Sequence, residues 1–181
     1  MKTIIVSDYD PRWPIYFEQI RATLWPVVQE VAITIEHVGS TAVVGLAAKP
    51  IIDIDIIIPV DQPIEQVAAR LQPLGYTHLG DLGIAGRDAF RQHNTLPRHN
   101  LYVCPINSVG LHNHLTIRDY LRTHPDAVHT YGELKRGLAI AFTHDIDRYV
   151  DGKTDFLISI LRQSDLPPQE LIAIEQANRL S

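Results

Sequence analysis

The sequence predicts an α/β (α+β) protein: a sheet lobe with flanking helices over residues 1–108, then a helical lobe over residues 109–181 packed against it. Three observations carry this. The run Lys49-Pro-Ile-Ile-Asp-Ile-Asp-Ile-Ile-Ile58 is rich in β-branched isoleucine and reads as a buried strand. Residues 76–103 alternate short β-prone runs with glycines and polar residues. From about Leu111 onward the apolar residues recur at helical spacing instead.

The elements follow in order. Asp10 can cap a first helix with Pro11 at its first position, and Trp13, Phe17, Ile20 and Leu24 give that helix one apolar face. A strand at residues 34–38 precedes the isoleucine strand at 51–58. Pro63 opens a second helix striped by Ile64, Val67, Ala68 and Leu71, and Gly75 ends it. Strands are expected at 76–79, 89–92 and 100–103. In the helical half, Leu115, Tyr120 and Leu121 mark one helix. Val128, Tyr131, Leu134, Leu138 and Phe142 mark another starting near Pro125, and Phe156, Leu157, Ile160 and Leu161 a third. A short last helix starts at Pro167-Pro168 and runs to Leu180. There is no internal repeat and no low-complexity linker.

Composition narrows the function classes. A chain of 181 residues buries roughly 70% of its unfolded surface, enough for one substantial core. The formal charge of −5 argues against broad nucleic-acid binding, which goes with a basic excess. Cys104 is the only cysteine, so no intramolecular disulfide forms and nothing suggests secretion. The apolar run at the N-terminus breaks off too early for a signal-peptide core, and no apolar run approaches the roughly 20 residues that span a bilayer. The expected location is cytoplasmic, with no membrane association.

The chemistry centres on Asp53 and Asp55. Residues two apart on a strand share a face, so the carboxylates sit side by side while Ile52, Ile54, Ile56 and Ile58 line the other. Adjacent buried anions repel and lose hydration. Two arrangements relieve this. Either a divalent cation binds, magnesium (or manganese) needing only one or two protein carboxylates, or the strand faces solvent with the carboxylates hydrated or paired to Lys or Arg. Just upstream, a strand runs into Gly39-Ser40-Thr41, a small-residue turn whose amides and hydroxyls suit a phosphate. The Walker pattern G-x-x-x-x-G-K-[ST] is absent.

Histidine offers less. His93, His99, His112 and His114 are candidates for a transition metal, yet no H-E-x-x-H or Cys/His spacing occurs. His37 reads as a hydrogen-bonded packing residue, and Ser40 has no base that sequence can place beside it. Arg87 and Arg91 either offer positive charge to a phosphate site or pair at the surface with Asp81 or Asp88.

A strand, a Gly-Ser turn and a hydrophobic strand carrying Asp-x-Asp resemble the nucleotidyltransferase superfamily typified by DNA polymerase beta, and more closely its GrpB family. The matching stretches are Tyr9-Asp-Pro-Arg-Trp13 with Phe17, Ile35-Glu-His-Val-Gly-Ser-Thr-Ala-Val43 and Gly45-Leu-Ala-Ala-Lys-Pro-Ile-Ile-Asp-Ile54. Gly86-Arg87, Phe90-Arg91, Arg118-Asp-Tyr-Leu-Arg122, Tyr131 with Leu134-Lys135, and Tyr149 with Gly152-Lys153 continue the match.

The resemblance implies a nucleotidyltransferase-like mixed sheet packed against the helical lobe. It implies Asp53 and Asp55 as catalytic residues holding Mg²⁺ or Mn²⁺, with a nucleoside triphosphate as ligand. Gly39, Ser40, Thr41, Lys49, Arg118, Arg122, Lys135 and Lys153 would bind nucleotide or phosphate, with at least two of the last four lining the cleft of the Asp pair. The implied function is transfer of a nucleotidyl group to a small acceptor; the alternative is a non-catalytic nucleotide- or phosphate-binding module. One departure favours the alternative: superfamily members place a third carboxylate on a neighbouring strand, whereas Asn100-Leu-Tyr-Val-Cys104 has none. GrpB relatives tend to show His-x-His there, and this chain has Asn100 and Tyr102.

Overall fold

The computed structural model describes residues 3–84, 86–92 and 97–179. Its core is a five-stranded mixed sheet. The strands are β1 (Thr34–Val38), β2 (Ile52–Ile58), β3 (Tyr76–His78), β4 (Asp88–Gln92) and β5 (His99–Pro105), in the order β1-β2-β5-β4-β3. β2 and β5 run parallel, and every other neighbouring pair is antiparallel.

Helix α1 (Trp13–Val28) presents Trp13, Phe17, Ile20, Leu24 and Val28 to the sheet, three or four residues apart. It starts later than the sequence suggests. The carboxylate of Asp10 accepts from the Arg12 amide at 2.9 Å and binds its guanidinium, so Asp10-Pro11-Arg12 forms a turn ahead of the helix. Pro14 takes an early helical position, where a missing amide costs nothing.

Helix α2 (Ile64–Leu71) packs Val67 and Leu71 on the same face, and Gly75 ends the following 3-10 turn at φ +84°. Ile52, Ile54, Ile56 and Ile58 complete this layer with the buried residues of α1 and α2.

The opposite face carries Asp53, Asp55 and Ile57, and helix α3 (Val109–Thr123) covers it, packing Leu111 against Ile57 and Cys104. This explains why β2 is buried almost throughout despite its two charges: helices lie on both sides of it. Helices α4 (Pro125–Ala141), α5 (Ile146–Asp151), α6 (Thr154–Leu161) and α7 (Pro168–Asn178) complete the helical layer. Helix α5 was not anticipated; it is too short for a periodic apolar stripe, and the side chain of Asp145 caps it. Helix α7 is anchored, with Ile174 packed against Ile158, Leu161 and Leu166. Its expected end at Leu180 lies outside the described residues, as does His93. No helix among the described residues is long and apolar enough to cross a membrane.

Candidate functional site

Between β1 and β2 the chain makes one 3-10 turn at Ser40–Ala42, entered through Gly39 at φ +69° and ψ −170°, a conformation open to glycine alone. What approaches Gly39 is protein. A Cβ there would collide with the carboxylate of Asp53 and come within 2.9 Å of its Cβ. The turn is therefore moulded around the first aspartate. Asp53 has Val38 opposite it on β1 and Asn100 beside it on β5, and Asn100 Nδ2 donates to Asp53 Oδ1 at 2.7 Å.

Asp53 faces a cavity of about 190 Å³ that Ser40, Thr41, Lys49, Asn100, Lys135, Tyr149 and Lys153 also line. Its cations are held by aromatic rings. Lys135 Nζ lies 4.3 Å from the Tyr131 ring centroid, while Lys49 and Lys153 stand at 5.4 and 4.9 Å from that of Tyr149. Lys135, only 2% exposed, also donates to Ser40 Oγ at 2.9 Å. Burial and the neighbouring Lys153 push the Lys135 ammonium down to about 6, and burial and Lys49 push Lys153 down to about 8. Lys49 is lowered as well, chiefly by burial. Burial raises Asp53, against the opposing pull of Asn100, His114 and Lys49. Three lysines around one carboxylate, each with its ammonium lowered from the ordinary value, mark a cavity short of negative charge.

Asp55 behaves differently from its neighbour. It is fully buried and does not line this cavity; His114 of α3 reaches it, Nδ1 to Oδ2 at 2.8 Å. Its other oxygen, Oδ1, is buried with no hydrogen-bond partner. The expectation that both carboxylates floor one cleft thus holds only for Asp53. The pair shares a face, but each side chain turns to a different partner.

A third acid, Glu36, stands opposite Asp55 on β1 and hence on the same face, though Arg118 holds it at 2.7 Å. Among the described residues no three His, Cys, Asp or Glu side chains are grouped to hold a metal. Asp53 and Asp55 are the two carboxylates that would hold magnesium or manganese, with water and phosphate in its other positions. The orphaned Asp55 oxygen is the observation that suits a cation.

Of the four basic residues expected from the helical half, Lys135 and Lys153 join Asp53, and Arg118 and Arg122 do not. Arg118 binds Glu36, Asp119 and the His37 carbonyl; Arg122 donates twice to the Ala42 carbonyl. Both line a different cavity on the far side of the turn. Arg118 on α3 reaches Glu36 and the His37 carbonyl of β1, whereas Lys135 comes from α4 and Lys153 from the N-cap of α6. Thr41 lines the Asp53 cavity, but its hydroxyl is engaged by His37 Nε2 at 3.0 Å. His37 stacks on Phe17 as a packing residue, its imidazole held down to about 4 by burial and by Arg122 and Arg118.

Arg87 does not pair with Asp88, which binds His78 at 2.7 Å; its guanidinium lies 4.5 Å from the Tyr102 ring centroid instead. Sequence reasoning missed His114 as the partner of Asp55, and Tyr131 and Tyr149 as the rings that gather the lysines. Only the Asp-x-Asp strand hinted that some buried partner was required.

The family model described as "GrpB protein" matches residues 3–163. The "UPF0157 protein YqkA" of Bacillus subtilis is 33% identical over 149 residues, covering 82% of this chain and 43% of that protein. The chain therefore spans less than half the length of that relative. The "Glutamate-rich protein GrpB" of Alkalihalophilus pseudofirmus is 30% identical over 165 residues, covering 88% of this chain and 95% of that one. The crystal structure of conserved protein GrpB from Enterococcus faecalis superposes with a TM-score of 0.78 at 32% identity, covering 95% of this chain and 98% of the other. With the Gly-Ser turn, the Asp strand and the lysine-bearing helices all inside the matched region, the chain belongs to the GrpB family.

Proposed function

We propose that the Asp53 cavity takes the phosphate portion of a nucleoside triphosphate and that the chain is a Mg²⁺- or Mn²⁺-dependent nucleotidyltransferase acting on a small acceptor. The observation that carries this reading is the convergence of Lys49, Lys135 and Lys153 with Ser40 on Asp53. A polyanion supplies the negative charge that favours the protonated form of these lysines. At about 190 Å³ the cavity suits phosphate groups, and base and ribose must lie outside it. The sequence resemblance to nucleotidyltransferases supports the same reading. Lys135 and Lys153 would neutralise the departing phosphates, Ser40 would orient them, and Asp53 would carry the metal with Asp55. The metal, when bound, offsets charge on the attacking and leaving oxygens.

A non-catalytic module is the second reading, and Asn100 favours it. It occupies the place beside Asp53 where a carboxylate would complete the cage, and it donates a hydrogen bond. Incubation with labelled triphosphates, Mg²⁺ or Mn²⁺ and a metabolite library separates the two. Turnover that falls at least 100-fold in Asp53→Asn is the expected result. Metal-dependent binding of triphosphate with no transfer to any acceptor would establish the module instead, and absence of binding would remove both.

A further inference from the structure

The same turn has a second cavity on its other side. About 860 Å³ in volume, it lies within the range of small-molecule sites and is several times larger than the one at Asp53. Its walls are mainly apolar, with Phe17, Val44, Leu121 and Val128 among them, and they come from α1, the loop after the turn, α3 and α4.

The charges on the wall are uneven. Arg21 lies 3.4 Å from Glu18, and Arg118 lies 2.7 Å from Glu36. Arg122 has no such match among the described lining residues. It spends Nε and Nη2 on the Ala42 carbonyl, and its nearest carboxylate, Asp119, stands at 3.7 Å while binding Arg118 at 2.7 Å. Burial and the neighbouring Arg118 lower the Arg122 guanidinium from its ordinary value, outweighing the opposite pull of Asp119 and Glu36. Its side chain is 44% exposed, so a ligand can reach it.

We propose that this cavity is a second ligand site, separate from the Asp53 cavity, for a small organic anion: an apolar or aromatic body against the wall and a carboxylate or phosphate head on Arg122. Guanidinium binds either head through paired N–H donors, and an apolar wall gives a neutral polar molecule little. The turn at residues 40–42 is the partition, since Arg122 grips the Ala42 carbonyl on one side and Lys135 grips Ser40 Oγ on the other.

Calorimetric titration of the whole chain with 1-naphthyl phosphate, 1-naphthoate and neutral 1-naphthol tests this. At least one of the two anions is expected to bind tenfold or more tightly than the alcohol, and Arg122→Gln should weaken it at least tenfold. Val44 is 75% exposed on the rim, so Val44→Glu tests the same site without threatening the fold and should weaken the anion similarly. Lys135→Met should leave the anion's affinity unchanged, and pyrophosphate should not displace it. Equal binding of 1-naphthol, indifference to both Arg122→Gln and Val44→Glu, no binding at millimolar concentration, or displacement by pyrophosphate would each overturn the proposal. Triphosphate binding at Asp53, measured separately, stands or falls independently of these outcomes.

Discussion

Gly39→Ala is expected to lower the melting temperature by roughly 5–15 °C, a cost of about 2–4 kcal/mol. Two effects add. At φ +69° and ψ −170° any residue with a Cβ is strained. The new methyl would also occupy the space of the Asp53 carboxylate. Sequence reasoning placed Gly39 in a turn suited to a phosphate. The geometry makes the aspartate the group that needs the space, so stability falls even without ligand. A double-mutant cycle checks this by thermal or urea unfolding. In an Asp53→Ala background the clash with the carboxylate disappears, leaving the approach to the Cβ of residue 53 and the backbone strain, so Gly39→Ala should cost clearly less there. Equal costs in both backgrounds would show that the contact carries no energy.

Lys135→Met is expected to raise stability at pH 7, by on the order of 2–3 kcal/mol and about 5–10 °C, while nearly abolishing pyrophosphate binding. The sign follows from linkage. Lys135 sits near 6 in the folded chain and at its ordinary value of 10.5 when unfolded, so between those values the unfolded state binds more protons. Stability of the parent therefore rises with pH across that window, and the burial penalty is largest below about pH 6. Methionine removes the titration, so its advantage should shrink as pH climbs toward 10. Unfolding curves from pH 5.5 to 9.5 measure it; a constant difference would refute the shifted lysine. Binding should show the same linkage. A polyanion in the cavity favours the charged ammonium, so pyrophosphate should draw on the order of one more proton into the parent than into Lys135→Met at pH 8. Calorimetry in two buffers of different ionisation enthalpy reads that difference.

These two residues also mark how far the sequence is legible. The isoleucine strand, its alternation and the shared face of Asp53 and Asp55 follow from a period of two, which no tertiary contact changes. The same holds for α1, α2 and α4, whose apolar stripes and prolines mark them locally. Family membership rests on contiguous motifs and was legible for that reason.

Side-chain direction and long-range pairing were decided by the fold. Asp53 turns to Asn100, 47 residues away, because β5 lies parallel beside β2; Asp55 turns to His114, 59 residues away, because α3 crosses that face. Four basic residues of the helical half looked equivalent as a list. Packing sent Lys135 and Lys153 to Asp53 and left Arg118 and Arg122 across the turn, since a helix's position over the sheet is set by its whole buried face. Local sequence thus determined the strands, the main helices and which residues carry charge; only tertiary packing decided which charges meet, because that depends on contacts between residues distant in the chain.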